Sequence, residues 1–116
     1  GKGQVPGHAA GGDDDMLAAM EARSAAAASQ PVRVIVFGSY ARGDANDDSD
    51  LDLMVIEPQV ADHTDEYLRL REAVGSIGVG VDLLLLSEQE YQKRREWWTT
   101  PVYWAEREGR VLHEPT

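Results

Sequence analysis

The sequence predicts one small domain of the α/β (α+β) class. Three apolar segments have the length of β-strands, and they span residues 32–37, 50–56 and 79–86. The segments around them carry one apolar face and are otherwise charged, which is the pattern of helices that pack on a sheet. A chain of 116 residues, of which 42% are apolar, supplies one modest core and not two.

Composition excludes several classes of protein. The chain contains no cysteine, so disulfides, thiolate catalysis and cysteine–zinc sites are excluded. No apolar run approaches the roughly 18 residues that a membrane-spanning helix needs, and the first residues lack the apolar segment of a secretory signal. We therefore expect a cytoplasmic protein that makes no membrane contact.

The net charge is −10, from 11 basic and 21 acidic side chains. Binding to a nucleic-acid backbone requires a basic surface, so we expect no direct contact with DNA or RNA. An acidic surface instead suits a basic protein partner. It also suits a nucleotide, provided that divalent cations neutralise the local charge.

The first residues are predicted to precede the folded domain. Residues 1–15 are rich in glycine and lack apolar periodicity, so we interpret them as a flexible lead or a segment left by expression. Asp15 can cap an alanine-rich helix that begins at Met16 and ends before Pro31. The domain itself is therefore predicted to span residues 16–116.

The first two strands carry the pattern on which the functional hypothesis depends. Residues 32–37 are apolar on both faces apart from Arg33, as in a central strand, and Gly38 ends this strand. A short helical turn at 40–42 and an acidic loop follow. Side chains of the second strand alternate between two faces, one with Asp50, Asp52, Met54 and Ile56, and the other with Leu51, Leu53 and Val55. One face therefore begins acidic, where we expect a cleft, and becomes apolar.

The next segments are a helix over residues 62–77 and a third, largely buried strand over 79–86. The strand contains one acid, Asp82. An acid at a strand end is often paired with an arginine, and this remains an alternative to a functional role.

The last third of the sequence predicts two helices and an edge strand. Ser87 opens a capping-box pattern for a helix that reaches about Trp97. A second helix begins at Thr100-Pro101 and ends at Gly109, because proline is favoured at the first position of a helix. Residues 110–113 are predicted to add a short edge strand.

Three acids occupy strand positions that usually carry apolar residues. Asp50 and Asp52 lie about 6.5–7 Å apart on one face of a strand, and Asp82 joins them if its strand is the neighbour. Two such charges roughly 4 Å apart repel by about 4 kcal/mol at an effective dielectric constant of about 20. Oxygen ligands favour Mg²⁺ or Mn²⁺, and a pair of these ions suits displacement at phosphorus.

The turn at Gly38-Ser39 supplies a complementary phosphate site. Glycine lets the backbone approach a phosphate closely, and the Ser39 hydroxyl can donate to its oxygens. Arg42 can bind a terminal phosphate through a forked hydrogen bond, or it can pair with Asp44 or Asp47. A calcium-binding EF-hand loop from Asp44 is rejected, because the required glycine and glutamate are missing at its sixth and twelfth positions.

Together these motifs resemble the DNA polymerase β-like nucleotidyltransferase superfamily. Its signature is matched by Gly38-Ser39, a gap of ten residues, and Asp50-Leu51-Asp52. The longer runs at residues 38–43 and 49–53 resemble the minimal nucleotidyltransferase (MNT) branch. Residues 81–84 resemble the strand of the third acid, and the similarity covers about residues 16–113.

The resemblance implies a minimal nucleotidyltransferase fold, in which a mixed central β-sheet is flanked by helices. It implies that Asp50, Asp52 and Asp82 hold Mg²⁺, with two ions, and that ATP is the donor. Gly38 and Ser39 would seat the triphosphate, and Asp82 would help to deprotonate the attacking hydroxyl. Small members resemble antitoxins that transfer AMP to a tyrosine of a partner HEPN-family toxin. A homo-oligomer or a hetero-oligomer would be compatible with this role.

The remaining side chains leave alternatives open. His63 and His113 are predicted to be surface residues, because neither has a second metal ligand nearby. An aromatic cluster in the C-terminal segment either covers the core or forms a partner-docking surface, and it contains Trp97, Trp98, Tyr103 and Trp104.

The main hypothesis is an Mg²⁺-dependent protein adenylyltransferase that acts as an antitoxin. One alternative is a non-catalytic antitoxin that neutralises a basic toxin by association alone. Another is a small-molecule nucleotidyltransferase of the aminoglycoside type, for which a partner chain would have to supply the substrate-binding part.

Overall fold

The computed structural model describes residues 8–30, 32–46, 48–75 and 80–114, with side chains from residue 15 onward. Helices and strands follow the predicted order along the chain. The elements are α1 (His8–Ala27), β1 (Arg33–Phe37), α2 (Ser39–Arg42), β2 (Leu51–Glu57), α3 (His63–Val74), β3 (Val81–Ser87), α4 (Glu88–Arg94), α5 (Pro101–Glu108) and β4 (Arg110–His113).

The four strands form one mixed sheet in the order β3-β2-β1-β4. Strand β1 is antiparallel to both β2 and β4, whereas β2 and β3 are parallel. The edge strand predicted at residues 110–113 is present as β4. The mixed sheet with its helices confirms the predicted fold class.

Each face of the sheet packs against its own pair of helices. Leu51, Leu53 and Val55 of β2 pack with residues of α1 and α3 in one buried cluster. Met54 and Ile56 point the other way and pack with residues of α4 and α5. The predicted alternation along β2 is therefore confirmed, and its first acids lie on the face covered by α4 and α5.

Local hydrogen bonds explain where three helices begin. The Asp62 side chain accepts from the backbone N–H of Asp65 at the start of α3. Ser87 and Glu90 form the predicted capping box of α4. Thr100 caps α5, and Pro101 occupies its first turn. Each cap satisfies backbone donors that a helix leaves free at its N-terminus.

Several helix ends differ from the prediction. Helix α1 begins at His8 and not at Met16, so the second half of the predicted lead is helical, while residues 1–7 lie outside the described residues. Glycine in a helix costs only about 1 kcal/mol relative to alanine, so the glycines before Met16 do not stop it. Helix α4 ends at Arg94 and not near Trp97. Helix α3 ends at Val74, and the rest of its predicted span includes residues outside the described ranges.

Strand β3 forms one edge of the sheet, and side chains of α3 bond to its backbone. Arg71 Nη1 donates to the Val81 carbonyl oxygen at 2.8 Å. His63 Nε2 lies 3.0 Å from the Leu85 carbonyl oxygen. Of the helices that the structure describes, none combines the length and the apolar character needed to cross a membrane.

Candidate active site

The predicted acids meet at one end of the two central strands and β3. Asp52 lies opposite Phe37 of β1 and opposite Asp82 of β3 in the strand register. Asp50 lies just before β2, two residues from Asp52. The condition that β3 must be the neighbour of β2 is therefore met.

An open cleft of about 510 Å³ lies over this end of the sheet. It brings together all six predicted site residues with four others. Its lining consists of Phe37, Gly38, Ser39, Arg42, Asp50, Asp52, Asp82, Pro101, Trp104 and Glu108.

Gly38 has a backbone conformation that only glycine adopts readily. Its φ is 72° and its ψ is −150°. A Cβ atom there would also collide with the carboxylate of Asp52. The Gly38 carbonyl oxygen accepts from the N–H groups of Ala41 and Arg42, both at 3.1 Å, which starts α2 directly after β1. Glycine therefore lets the turn fold back against an acid.

Gly80 has a similar role beside the other acid of β2. A Cβ atom at this position would collide with the Asp50 carboxylate, and the Gly80 carbonyl oxygen accepts from Leu51 N at 2.8 Å. Sequence reasoning assigned no functional role to Gly80. The available signal was its position directly before the strand that carries Asp82.

The electrostatics of the cleft centre on Asp52. Burial raises the pKa of its carboxyl, and the charges of Asp82 and Asp50 raise it further, against a smaller effect of Arg42. Asp50 and Asp82 are exposed, whereas Asp52 is half-buried. This exposure agrees with the cleft expected at the acidic end of the second strand, because the acids lie where the strands open into solvent.

The donor set of the cleft fits a hard divalent cation. It consists of carboxylate oxygens, which Mg²⁺ prefers. Gly38 and Gly80 place no side chain against the carboxylates of Asp52 and Asp50. Within the described ranges, no three acidic, histidine or cysteine side chains already form a complete metal site. The residues that would hold a cation are Asp50, Asp52 and Asp82, which line the cleft together.

Ser39 and Arg42 line the same cleft as the three acids. Ser39 is the first residue of α2 and lines the cleft. Arg42 pairs with Asp44 and with Glu108, each at 3.4 Å, and its side chain is half-exposed. The alternative pairing with Asp44 is thus present, while Asp47 lies outside the described residues. Binding of phosphate by Arg42 stays a prediction.

A smaller, more apolar pocket adjoins the cleft beyond the acids. Its volume is about 290 Å³, and its lining consists of Phe37, Asp52, Asp82, Leu83, Leu84 and Pro101. Asp52 and Asp82 therefore face two cavities, one polar and one mostly apolar. Nothing in the sequence analysis pointed to this second pocket, because it depends on where Pro101 at the start of α5 lies relative to Leu83 and Leu84 of β3.

A family model described as a nucleotidyltransferase domain matches residues 20–106, and this range contains all six predicted site residues. The chain belongs to this family. The match confirms the resemblance drawn from the Gly-Ser turn and the three acids.

The chain is also similar to one curated protein and to one solved structure. A Methanocaldococcus jannaschii protein named "putative protein adenylyltransferase" is 29% identical over 65 residues, which are 56% of this chain and 63% of the relative. The match thus spans less than two thirds of that relative's length. A crystal structure titled as a "putative nucleotidyltransferase" from Sulfolobus solfataricus superposes with a TM-score of 0.58 and 22% identity, over 96% of this chain and 90% of that one. This second likeness shows the fold.

The tryptophans of this nucleotidyltransferase domain do not cover its core. Trp97, Trp98 and Trp104 are 57%, 68% and 46% exposed, so the cover interpretation is wrong for all three. Trp104 lines the cleft, which sequence reasoning missed. His63 is exposed, as predicted, and His113 lies 3.1 Å from a carboxylate oxygen of Glu21.

Proposed function

We propose that the chain is an Mg²⁺-dependent nucleotidyltransferase that transfers AMP from ATP to a hydroxyl group and releases pyrophosphate. One observation carries the proposal. Three carboxylates, two on neighbouring parallel strands and one directly before β2, line a single cleft together with the Gly38-Ser39 turn. Transfer to phosphorus needs both a cation-binding group and a phosphate seat, and this cleft offers both.

The donor triphosphate is proposed to bind at the Gly38-Ser39 turn. Glycine permits close approach of the backbone, and the Ser39 hydroxyl donates to a phosphate oxygen. Arg42 is within reach because it lines the same cleft. Phosphate would compete with Asp44 and Glu108 for its guanidinium group, which is half-exposed and able to move.

The acceptor hydroxyl is proposed to approach from the side of Asp82. Its oxygen attacks the α-phosphorus, the bond from that phosphorus to the bridging oxygen breaks, and pyrophosphate leaves. Asp82 accepts the hydroxyl proton, and Asp52 and Asp50 complete the cation-binding group. Bound Mg²⁺ would neutralise the charge that develops on the phosphate oxygens.

We further propose that the acceptor is a tyrosine of a HEPN-family toxin, and that the protein acts as its antitoxin. The resemblance to the MNT branch and the name of the Methanocaldococcus jannaschii relative support a protein acceptor. The apolar pocket beside Asp82 supports an aromatic acceptor, because it offers Leu83, Leu84 and Pro101 to a ring. The net charge of −10 favours a basic partner.

The proposal is tested by incubating the chain with ATP, Mg²⁺ and the toxin encoded beside it. Intact-mass spectrometry should show that the toxin gains one or more AMP units. Asp52→Asn should reduce the rate at least roughly a hundredfold, since it removes a cation-binding carboxylate. Asp65→Asn, an exposed acid on α3, should leave the rate unchanged. Equal labelling by the Asp52 variant would refute the proposal.

A non-catalytic antitoxin is the second candidate, and the exposed Trp97 and Trp98 favour it. Association alone would then silence the toxin. A double variant, Asp50→Ala with Asp52→Ala, separates the candidates. Full neutralisation of the toxin by this variant, without AMP transfer, would favour binding over catalysis.

A further inference from the structure

The cleft has two chemically different walls. One consists of strand ends with their acids and the Gly38-Ser39 turn. The other is a single face of α5, formed by Pro101, Trp104 and Glu108, which are spaced at three and four residues. The adjacent face of α5 contributes Val102 and Ala105 to the core. Because its inner face is buried, α5 presents the cleft-facing residues from a fixed position.

Trp104 is held in place by contacts on several sides. Its indole N–H donates to the Trp98 carbonyl oxygen at 2.9 Å. Tyr103 contacts the ring edge-to-face, with centroids 5.0 Å apart and planes at 79°. Arg107 lies 3.7 Å from the centre of the Tyr103 ring, on the same helix. The polar atom of the indole is therefore satisfied, and its orientation is set before any ligand arrives.

The exposed part of this ring is a large apolar surface in a cleft that also contains three aspartates, Arg42 and Glu108. Trp104 is 46% exposed. A large aromatic side chain gains little stability from such a position, since most of its hydrophobic contribution depends on burial. Its exposed surface is instead suited to a flat, aromatic partner that enters the cleft together with phosphate.

We propose that Trp104 is the platform on which the base of the donor nucleotide stacks. This inference rests on the proposed function, since it concerns the same bound nucleoside triphosphate. The triphosphate would lie at the Gly38-Ser39 turn, and the base would lie against α5. Stacking on an aromatic ring accepts every base, so the platform predicts weak discrimination, with purines favoured by their larger area.

The test compares ATP with inorganic tripolyphosphate, which has the phosphates without the base. Binding of each to the full chain is measured by calorimetry, with Ca²⁺ as the cation to slow turnover. Trp104→Ala should weaken ATP binding roughly tenfold or more and leave tripolyphosphate binding unchanged. Trp104→Phe should retain most of the affinity for ATP. Trp97→Ala removes an indole that is also exposed but lies outside the cleft lining, so it should change neither affinity.

A fluorescence experiment makes the same comparison of ATP with tripolyphosphate while the Trp104 ring stays intact. The chain contains three tryptophans, so a Trp97→Phe and Trp98→Phe double variant leaves Trp104 as the single indole. ATP should quench its emission, whereas tripolyphosphate should not. ATP binding that Trp104→Ala leaves unchanged, or equal losses for both ligands, would overturn the platform alone. Failure of the wild-type chain to bind either ligand would overturn the proposed function and the platform with it.

Discussion

Position 38 imposes two constraints that only glycine satisfies without strain. Its φ of 72° lies in a region that side chains rarely adopt, and the Asp52 carboxylate occupies the space where a Cβ atom would lie. A backbone held in such a region costs a residue other than glycine about 1–3 kcal/mol. The proposed phosphate site and the position of an acid are therefore coupled through this one residue.

We predict that Gly38→Ala lowers the free energy of unfolding by at least about 1–3 kcal/mol and weakens tripolyphosphate binding. Urea denaturation and calorimetry measure the two effects. Gly43→Ala is the matched control, since Gly43 also has a positive φ, of 84°, but meets no atom within 4 Å of an added Cβ. It should lose some stability and keep its affinity. Similar losses of affinity in both variants would contradict the coupling.

When no cation is bound, the ionised carboxylate of Asp52 destabilises the folded chain relative to the unfolded chain. Burial and two neighbouring acids raise the pKa of its carboxyl, so ionisation is less favourable in the folded chain than in the unfolded one. We predict that Asp52→Asn stabilises the cation-free protein at pH 7 by about 0.5–2 kcal/mol. Mg²⁺ should raise the melting temperature of the wild type more than that of the variant.

Thermal melts with and without Mg²⁺ measure this difference. Asp48→Asn, in the exposed loop before β2, provides a control of equal charge change. A cation-binding role for Asp52 would be contradicted by two results together. The Asp52→Asn protein would be no more stable than the Asp48 variant, and Mg²⁺ would raise its melting temperature as much as that of the wild type.

At the scale of the element, β2 carries an acid near each end and an apolar centre between them. At its far end, Glu57 is buried with 1% exposure. Burial raises the pKa of Glu57 to about 8, and Glu66 on α3 adds to this rise. Burial opposes ionisation of Glu66 too, but bonds from Glu57 and Ser29 and the charge of Arg69 lower its pKa overall. At pH 7, Glu57 therefore mainly keeps its proton, while Glu66 carries the charge.

The proton on Glu57 makes stability depend on pH. Its unfolded pKa is near 4.5 and its folded pKa near 8, so between these values the folded state binds more protons. The contribution of Glu57 to the free energy of unfolding therefore falls as pH rises through this window and levels off above it. We predict that Glu57→Gln becomes increasingly more stable than the wild type from pH 5 to pH 8.

Urea denaturation across this range measures the Glu57→Gln difference. Glu72→Gln, at an exposed position on α3, should show no such trend. A constant difference between wild type and Glu57→Gln at all pH values would contradict the prediction.

Elements of this chain differ in how far sequence could predict them. Strand β2 was predictable because acids and leucines alternate at its start and a short apolar run completes it, which indicates a strand and assigns its faces. The caps at Asp62, Ser87 and Thr100 were predictable because their bonds are local. The start of α1 was not, since several residues before Met16 are compatible with either helix or loop. Exposure of Trp97 and Trp98 was not predictable either, because it depends on where α4 ends.

At the scale of the whole molecule, the site depends on pairings between distant parts of the sequence. The signature at residues 38–52 was visible directly, whereas the convergence of Asp82 required β3 to lie beside β2. Trp104 and Glu108 enter the cleft only through the packing of α5 across the sheet. Sequence therefore predicted the three acids of the cleft better than the wall that α5 adds to it.

The bonds from α3 to β3 have a consequence for how molecules of this chain meet at high concentration. An unprotected edge strand invites a strand of another molecule to extend the sheet, and aggregation can begin in this way. Here Arg71 and His63 already occupy two carbonyl groups near the ends of β3. An incoming strand would have to displace both side chains. Pairing of β3 with a strand of another molecule is therefore disfavoured, even at high protein concentration.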